Sequence, residues 1–270
     1  MLPSKKIVEH LHADSIKTAI DPLNLSALAA LDIFESINST NSYLLERAKS
    51  GAATGTVCLA QMQTEGRGRH GRVWNSESRA NLYLSMLWHF PAQQSDLSSL
   101  SLAVAVVVAS VLKKYGVTYG VELKWPNDVL FSGRKLAGIL LETLSAQNGQ
   151  IPVVIGIGIN ILLPSEINEP AWIDLNEIMG KLGSCNYLAG LLINELLERL
   201  PHYKNRGLLP FLEEWQAYDY LKNKSVTIHD GEQVNEGVVL GITSEGELLL
   251  KRPSGEIEKF RCGEVSVRIL

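Results

Sequence analysis

The sequence predicts an α+β protein in which an antiparallel sheet with flanking helices precedes a small β-barrel. Four apolar strand candidates between residues 121 and 161 are joined by very short turns. Strands linked so closely must pair antiparallel, because a parallel crossover needs a dozen or more residues. Long apolar or amphipathic segments around these strands are typical of helices. After Lys224, short alternating strands are separated by glycine-containing turns, a pattern that favours a small barrel.

The length and composition are those of a soluble globular protein. The chain has 270 residues, 46% hydrophobic and 20% charged, and its 25 basic and 29 acidic residues give a net charge of −4. This length suggests one large domain or a large domain with a small partner. A mildly acidic chain does not suit a general nucleic-acid coat, although it can still carry a local basic site.

The cysteines and the N-terminal residues predict a cytoplasmic protein. Cys58, Cys185 and Cys262 are far apart and form no CxxC pair, so neither a zinc knuckle nor a disulfide framework is expected. This cysteine usage fits a reducing cytoplasm. Residues 1–14 contain charges and no apolar core, so no signal peptide is predicted. The uncharged stretch Leu97–Leu112 is short for a membrane span and is predicted to be a buried helix.

The first half of the chain begins with weakly patterned residues and continues with helices and strands. Residues 1–34 show little periodicity and a break at Asp21-Pro22, so no regular element is predicted there. A helix is predicted from Thr40, because Ser39 can cap its start and Gly51 can end it. The next elements are predicted to be two strands and a buried helix that Gly116 ends, at Thr56–Gln63, Asn81–Phe90 and Leu97–Tyr115.

The second half is predicted to contain the antiparallel strands, two helices and the barrel. The strands are expected at Val121–Trp125, Val129–Phe131, Lys135–Leu144 and Ile151–Ile161, with a turn at Asn148-Gly149 between the last two. The amphipathic helices are expected at Tyr187–Leu200 and Leu208–Tyr220. A domain boundary is predicted near residue 221. It divides the chain into an N-terminal segment (1–34), a central domain (35–220) and a C-terminal domain (221–270).

The segment Gly66–Arg72, which we call the arginine loop, combines three glycines with three arginines. Its glycines match a dinucleotide-binding fingerprint by letter, but that fingerprint needs a helix at the glycines, and another strand follows here. Glycines allow backbone N–H groups to approach an anion closely, and arginines suit phosphate or carboxylate. The loop alone is equally compatible with an anion site and with a solvated basic turn.

Two further segments place charged residues beside apolar ones. In Lys124-Trp125-Pro126-Asn127-Asp128, the lysine and the aspartate either point into one pocket or form an ion pair on a surface turn. Lys135 begins an apolar strand. A lysine near a dry pocket can stabilise a developing negative charge with little reorganisation, whereas on an edge strand it would discourage aggregation.

Six ordered segments make the chain similar to the biotin–protein ligase family, from about Ile33 to the C-terminus. No segment is decisive alone, but the order and spacing of all six are specific. The segments are Ser39-Thr40-Asn41, Gln63 with Gly66–Gly71, Lys124–Asp128, Arg134–Leu141, Gly156–Asn160 and Gly263–Ser266.

This resemblance implies both a fold and a reaction. The family's catalytic domain is an antiparallel sheet with flanking helices, of the class II aminoacyl-tRNA synthetase and biotin synthetase-like type, and a small SH3-like barrel follows it. In the expected reaction, the carboxylate of biotin attacks the α-phosphate of Mg-ATP to give biotinyl-5′-adenylate and pyrophosphate. A specific lysine of a biotin carrier protein, of the acetyl-CoA carboxylase type, then displaces AMP. The expected ligands are biotin, ATP and Mg²⁺ that arrives with ATP, with no protein-bound metal.

The resemblance also implies three catalytic residues, Lys135, Arg69 and Asp128. Lys135 would contact the carboxylate and the α-phosphate oxygens, where negative charge builds up. Arg69 would lie in the loop that closes over biotin and the adenylate phosphate. For Asp128 three roles are open: orienting the incoming lysine, helping with metal, or simply pairing with Lys124.

The remaining implied residues bind biotin or the nucleotide. The ureido ring of biotin would be held by short polar groups inside an apolar wall. Trp74 would stack on adenine, although a tryptophan considered alone is more often part of a core. The segment from Ile161 to Trp172 would be a flexible cover over the adenylate. The binding residues are Ser39, Thr40, Asn41 and Gln63 for biotin, Gly66, Arg67 and Gly68 in the closing loop, Arg72 at the triphosphate, Gly156 and Gly158 for backbone access, and Trp74 and Asn160 at adenine.

Two alternative functions and several partners remain to be tested. A lipoate–protein ligase has a similar catalytic fold, although the sequences of the arginine loop and of residues 124–128 favour biotin. A non-catalytic biotin sensor would bind without transfer, but Lys135 and the arginine loop are retained. Residues 1–34 are too few for the DNA-binding module of some relatives, so a ligase without DNA binding is expected. No membrane association is expected, and the sequence does not decide between a monomer and a homodimer.

Overall fold

The protein contains a large mixed sheet with helices around it and a smaller C-terminal sheet. The structure, a computed structural model, describes residues 9–74, 81–94, 96–163, 171–263 and 265–270. Within these residues the large sheet has seven strands. They are β1 (Ala30–Phe34), β2 (Thr56–Ala60), β3 (Asn81–Pro91), β4 (Val121–Lys124), β5 (Asp128–Phe131), β6 (Arg134–Thr143) and β7 (Gln150–Asn160).

The large sheet follows the order β1-β2-β3-β7-β6-β5-β4. Strands β4 to β7 pair antiparallel with their chain neighbours, which confirms the prediction from their short links. The pairing of β1 with β2 is parallel, so the sheet is mixed rather than wholly antiparallel. The helix Thr40–Lys49 lies between these two strands in the chain and supplies the crossover that a parallel pair requires. Strand β1 lies in the segment where no element was predicted.

Helices cover the large sheet and bury its apolar side chains. The described helices are α1 (Ala13–Lys17), α2 (Pro22–Leu25), α3 (Thr40–Lys49), α4 (Leu100–Tyr115), α5 (Leu175–Met179), α6 (Cys185–Arg206) and α7 (Leu212–Tyr218). Helix α4 is buried along most of its length, packs on α6, and ends at Gly116 with φ 117°. In the described part of the chain, no helix combines the length and apolar character that crossing a membrane requires.

Two predicted helix features differ from the structure. Pro22 does not simply interrupt the N-terminal segment, because it begins α2, and the Asp21 side chain accepts a hydrogen bond from the Leu23 amide. Proline suits the first turn of a helix, where its missing N–H would have no partner. Helix α6 continues past the predicted end at Leu200 to Arg206 and contains Pro201.

The C-terminal residues form a five-stranded antiparallel sheet with the order β11-β10-β9-β8-β12. Its strands are β8 (Ser225–Asp230), β9 (Gln233–Ile242), β10 (Leu248–Lys251), β11 (Ile257–Phe260) and β12 (Ser266–Ile269). No pairing joins β11 to β12 among the described residues, so the small antiparallel sheet is seen but a closed barrel is not. The predicted boundary near residue 221 falls in the connection between α7 and β8 and stays a prediction.

Polar contacts hold the C-terminal sheet against the large sheet. The indole nitrogen of Trp125 donates to the carbonyl of Gly246 at 3.0 Å. In the connection, the Tyr220 amide donates to the Leu123 carbonyl at 2.9 Å. The residues of β12 also lie beside Lys124–Asp128 around a common cavity, at the end of the large sheet where the chemically distinctive segments meet.

Candidate active site

A cavity of about 570 Å³ brings most of the predicted site residues together. Its wall contains the start of α3, the arginine loop, the middle of β6 and β7, and β12. Gly66 and Asn160 are the predicted residues that lie outside this lining. The predicted residues that line the cavity are Ser39, Thr40, Asn41, Gln63, Arg67, Gly68, Arg69, Arg72, Trp74, Asp128, Lys135, Gly156 and Gly158.

A neutral polar network forms one end of the cavity, which we call the amide end. Ser39 caps α3 by accepting from the Ser42 amide, as predicted. The backbone N–H and the hydroxyl of Thr40 both donate to Gln63 Oε1, at 2.8 and 3.1 Å. The hydroxyl of Ser85, fully buried on β3, lies 2.6 Å from Asn41 Oδ1 and 2.7 Å from Thr40 Oγ1. Every side chain of this network is therefore held by a neighbour before a ligand binds.

Glu142 joins the amide end to the arginine loop. Arg67 Nη2 donates to both carboxylate oxygens of Glu142 at 3.1 Å, and Arg67 Nη1 donates to Ser42 Oγ at 2.7 Å. Asn41 Nδ2 donates to Glu142 Oε2 at 2.7 Å. Sequence reasoning did not identify Glu142 or Ser85. For Ser85, the available signal was a single serine within a mostly apolar strand.

Cationic side chains gather at the other end, which we call the cationic end. The described lining contains six cationic side chains and a single carboxylate, Asp128. Lys135 Nζ lies 2.6 Å from Asp128 Oδ1, so the partner of Asp128 is Lys135 rather than Lys124. Lys124 stands opposite Asp128 on the neighbouring strand. Burial lowers the pKa of Lys124, and Asp128 partly opposes that effect.

Two tryptophans and two glycines shape the wall of the cationic end. Trp74 lies flat against β6 and β7, where a Cβ atom on Gly138 or Gly158 would approach its ring to 2.8 or 2.9 Å. Trp172 stacks on Trp74 with ring centroids 6.2 Å apart, and Lys135 Nζ lies 5.2 Å from the Trp74 ring centre. Glycines are expected where a strand accepts such a close approach.

The expected cover over the adenylate is only partly described. Residues 164–170, including Pro164 and Pro170, lie outside the described residues. The segment 171–173 lies beside Lys135, because the Lys135 amide donates to the Ala171 carbonyl at 2.6 Å and the Ile173 amide donates to the Lys135 carbonyl at 3.0 Å. This pairing fixes Trp172 at the cavity, a position that sequence reasoning reached only as the end of a loop.

Asn160 and Gly66 support the site from behind the lining. Asn160 Nδ2 donates to the carbonyls of Lys135 and Ile173, at 3.2 and 3.1 Å, and its Oδ1 is buried without a hydrogen-bond partner among the described residues. The Gly66 carbonyl accepts from the Trp74 amide at 2.9 Å. The predicted role of Asn160 at adenine therefore stays a prediction.

Arg69 links the arginine loop to the C-terminal sheet. Its guanidinium donates to Asn127 Oδ1 at 3.1 Å, to the Val265 carbonyl at 3.2 Å, and to the Gly263 carbonyl. Burial lowers the pKa of this arginine, which nevertheless stays charged because arginine titrates far above neutral pH. The motif residue Glu264 lies outside the described residues.

The described residues contain no group of three or more histidine, cysteine, aspartate or glutamate side chains able to hold a metal ion. Among the described residues that line the cavity, Asp128 is the one carboxylate that a cation would meet, and it is already paired with Lys135. A hard divalent ion prefers several oxygen ligands. The donor set therefore suits a metal ion that brings most of its ligands with it.

Two family models match the chain. The model of the biotin/lipoate A/B protein ligase family matches residues 33–160, and the model of the biotin protein ligase C terminal domain matches residues 223–268. The first match contains the amide end, the arginine loop and Lys135, and the second contains the C-terminal sheet except for Ile269, the last residue of β12.

Full-length comparisons give consistent relatives. The chain is 37% identical over 265 residues to the bifunctional ligase/repressor BirA of Escherichia coli, covering 97% of this chain and 79% of that protein. It is 36% identical over 233 residues to the biotin–[acetyl-CoA-carboxylase] ligase of Mycobacterium tuberculosis, covering 82% of each. Among solved structures, the biotin protein ligase from Aquifex aeolicus in complex with biotin and ATP matches with a TM-score of 0.76 and 29% identity, covering 89% of this chain and 99% of that one.

Proposed function

The chain belongs to the biotin/lipoate A/B protein ligase family, and we propose that it works as an ATP-dependent biotin–protein ligase of the acetyl-CoA carboxylase type. The observation that carries this proposal is the single cavity in which a neutral amide end meets a cationic end. Such a cavity can place an uncharged ring system at one end and a carboxylate beside a phosphate at the other. The enzyme forms a carbon–nitrogen bond in two steps.

The first step joins two anions, and this requirement explains the cationic end. A carboxylate oxygen of biotin attacks the α-phosphorus of ATP, the new phosphorus–oxygen bond forms, and the bond to pyrophosphate breaks. Like charges repel strongly in a partly dry cavity. Lys135 and Arg69 lower this repulsion, because their positive charges are already in place before charge develops. The product is biotinyl-5′-adenylate, a mixed anhydride.

The second step transfers the acyl group to an amine. A neutral lysine amine (–NH₂) of the carrier protein attacks the acyl carbon, the bond from that carbon to the phosphate oxygen breaks with its electrons going to AMP, and the nitrogen releases one proton to water to leave an amide. We assign Lys135 to the phosphate oxygens in both steps. Asp128, which lies 2.6 Å from Lys135, keeps that ammonium group oriented.

The amide end suits the ureido ring of biotin. Gln63 Oε1 already accepts two hydrogen bonds from Thr40. The NH₂ group of Gln63 can therefore donate to a carbonyl of the ligand. Ser39 and Asn41 add a hydroxyl and an amide in fixed positions. A neutral bicyclic ring with paired donors and acceptors matches neutral partners inside an apolar wall.

The cationic end suits the nucleotide. We assign adenine to the surface of Trp74 and Trp172, with Asn160 behind the wall, whose Oδ1 has no hydrogen-bond partner in the described part of the chain. Arg72, which is exposed at the rim, is placed to reach the triphosphate. Gly156 and Gly158 give the ligand access to the strand backbone, and Gly66 and Gly68 belong to the loop that closes over the ligand.

Mg²⁺ is proposed to enter with ATP rather than to occupy a protein site of its own. Its ligands would be phosphate oxygens, with Asp128 as the one carboxylate within the described lining. When bound, the ion reduces the charge of the triphosphate.

The carrier protein and the compartment complete the proposal. A second cavity of about 580 Å³ shares Arg69 and Asn127 with the active site, and it offers a route for the acceptor lysine of a biotin carrier domain. The three cysteines are free thiols, which fits a reducing cytoplasm.

One assay tests the function. The protein is incubated with biotin, Mg-ATP and a biotin carrier domain, and intact-protein mass spectrometry with pyrophosphate detection follows the reaction. We expect pyrophosphate release that depends on biotin and a mass gain of one biotinyl group on the carrier. Transfer of lipoate but not biotin would identify a lipoate ligase, and binding of biotin without transfer would identify a sensor. Either result would overturn the proposal.

A further inference from the structure

We infer that Glu142 is a positioning residue that neutralises Arg67 and fixes Asn41, so that the amide end accepts biotin and excludes anions. This inference rests on the proposed function, because it concerns the binding of the same substrate. It assigns different tasks to two of the three arginines of the loop: Arg69 serves the phosphate, whereas Arg67 closes the loop against Glu142.

Glu142 makes more hydrogen bonds than an ordinary surface ion pair does, because it accepts from both Arg67 and Asn41. Arg67 Nη2 lies 3.1 Å from each carboxylate oxygen, and Asn41 Nδ2 lies 2.7 Å from one of them. The side chains of Arg67 and Glu142 are 36% and 27% exposed. Exposed ion pairs contribute little, but a sheltered carboxylate with several charge-assisted hydrogen bonds contributes more.

One carboxylate thereby joins three separate parts of the chain. Glu142 lies on β6, Asn41 and Ser42 lie in the first turn of α3, and Arg67 lies in the arginine loop. Arg67 also donates to Ser42 Oγ at 2.7 Å. The loop is therefore tied to the helix that carries the amide end, and the tie depends on the negative charge of Glu142.

The orientation of Asn41 depends on the same carboxylate. Its Nδ2 donates to Glu142, and its Oδ1 lies 2.6 Å from the Ser85 hydroxyl. The Asn41 amide packs directly against the backbone of Gly156, where an added Cβ atom would lie 2.3 Å from Asn41 Oδ1. An acceptor at position 142 thus fixes which amide atom faces each neighbour.

The negative charge of Glu142 also affects where an anion can bind in the cavity. Six cationic side chains line the described cavity, and a phosphate could bind at either end if all six were free. Pairing with Glu142 compensates Arg67 at the amide end, so the uncompensated cations lie at the cationic end. Removal of the carboxylate would release a guanidinium beside the ureido pocket and let an anion compete with biotin.

The test compares Glu142→Gln with the wild type and with Glu214→Gln. Glu214 pairs with Arg199 between α6 and α7, outside the residues that line the cavity. Biotin binding is measured by isothermal titration, with and without inorganic phosphate, and the melting temperature is recorded. Single-turnover adenylation is measured at saturating biotin.

We expect Glu142→Gln to weaken biotin binding about tenfold or more, because Arg67 loses its charged partner and the buried Asn41 loses a charged acceptor. Inorganic phosphate should weaken biotin binding further in this variant and not in the wild type. The adenylation rate at saturating biotin should stay close to the wild-type rate. Glu214→Gln should match the wild type in biotin affinity and in phosphate response.

The outcomes separate this inference from the proposed function. Wild-type biotin affinity with no phosphate competition in Glu142→Gln would overturn the role of Glu142 alone. A wild-type protein that binds no biotin would overturn the proposed function instead. If Glu142→Gln fails to fold, Glu142→Asp, which keeps the charge but shortens the reach, is measured: weaker biotin binding in a folded protein supports the inference, and unchanged binding overturns it.

Discussion

The two ends of the cavity are built in opposite ways. At the amide end, hydroxyls and amides of α3, β3 and residue 63 hydrogen-bond to one another, and most of these residues are buried. At the cationic end, the side chains are only partly buried or exposed and come from the arginine loop, β4 to β6 and β12. Neutral groups can satisfy one another in a rigid wall, whereas cations repel and must be kept apart on separate elements.

This difference indicates that the two ends should respond differently to mutation. A change at the amide end disturbs a closed hydrogen-bond network and should alter binding of the acid. A change at the cationic end removes charge where charge develops and should alter the chemical step or nucleotide affinity. The following predictions test this separation, from the largest expected effect to the smallest.

Lys135→Ala should give the largest effect. Loss of one preorganised cation typically costs on the order of 3 kcal/mol, or about a hundredfold in rate, so single-turnover adenylation should fall by at least that factor. Biotin affinity without ATP should fall far less than the adenylation rate, because the ureido ring binds at the amide end and Lys135 contacts only the carboxylate of biotin. Lys251→Ala, an exposed lysine on β10, is the control. An adenylation rate equal to that of the control would contradict the assignment.

Two glycine substitutions should each impair one end of the cavity and leave the other end unchanged. Gly156→Ala places a Cβ atom 2.3 Å from Asn41 Oδ1, and Gly158→Ala places one 2.9 Å from the Trp74 ring. Overpacking typically costs about 1–3 kcal/mol, so we expect tenfold or greater losses of biotin affinity in the first variant and of ATP affinity in the second. Titration of both ligands into both variants gives a matched comparison. Equal losses of both ligands in both variants would break the proposed division.

Arg69→Gly should mainly affect retention of the intermediate. Its guanidinium ties the arginine loop to Asn127 and to the Val265 carbonyl, so its removal should free the loop and let biotinyl-adenylate dissociate several times faster. Released mixed anhydride acylates exposed amines, and added bovine serum albumin should then gain biotin. Arg261→Gly, an exposed arginine of the C-terminal residues, controls for loss of charge. Unchanged adenylate release would remove Arg69 from this role.

The smallest expected effect is a pH dependence confined to the cationic end. Burial lowers the pKa of Lys124 from the usual 10.5, and the nearby Lys135 lowers it further while Asp128 opposes the shift. As pH rises, Lys124 therefore loses its charge before an ordinary lysine would, and ATP affinity should weaken while biotin affinity stays constant. Lys124→Arg, which keeps its charge, should flatten the ATP profile. A parallel loss of biotin affinity would contradict the separation.

The lowered pKa of Lys124 also predicts how the free energy of unfolding changes with pH. In the pH range just below 10.5, the unfolded chain binds more protons at Lys124 than the native protein does. The contribution of this group to the free energy of unfolding therefore rises with pH across that range. Urea unfolding of the wild type and Lys124→Met over this range measures it.

Local features of the fold were predictable because they depend on nearby residues. The cap of Ser39 on α3, the end of α4 at Gly116 and the antiparallel order of β4 to β7 follow from chain spacing and from turn chemistry. Strand β1 was missed because its parallel pairing with β2 depends on a crossover and not on a local pattern. The strand-and-turn pattern after Lys224 predicted the C-terminal sheet.

By itself, the sequence determined which chemistry the chain carries: a glycine loop with arginines, a lysine at the start of a strand, and short polar residues before a helix. Only the tertiary structure decided how these groups are paired. Arg67 meets Glu142 across 75 positions, and Arg69 meets the Val265 carbonyl across 196. Such pairs depend on the register of β6 against β7 and on the docking of the C-terminal sheet, and no short sequence pattern encodes either, because both arise from packing between distant segments.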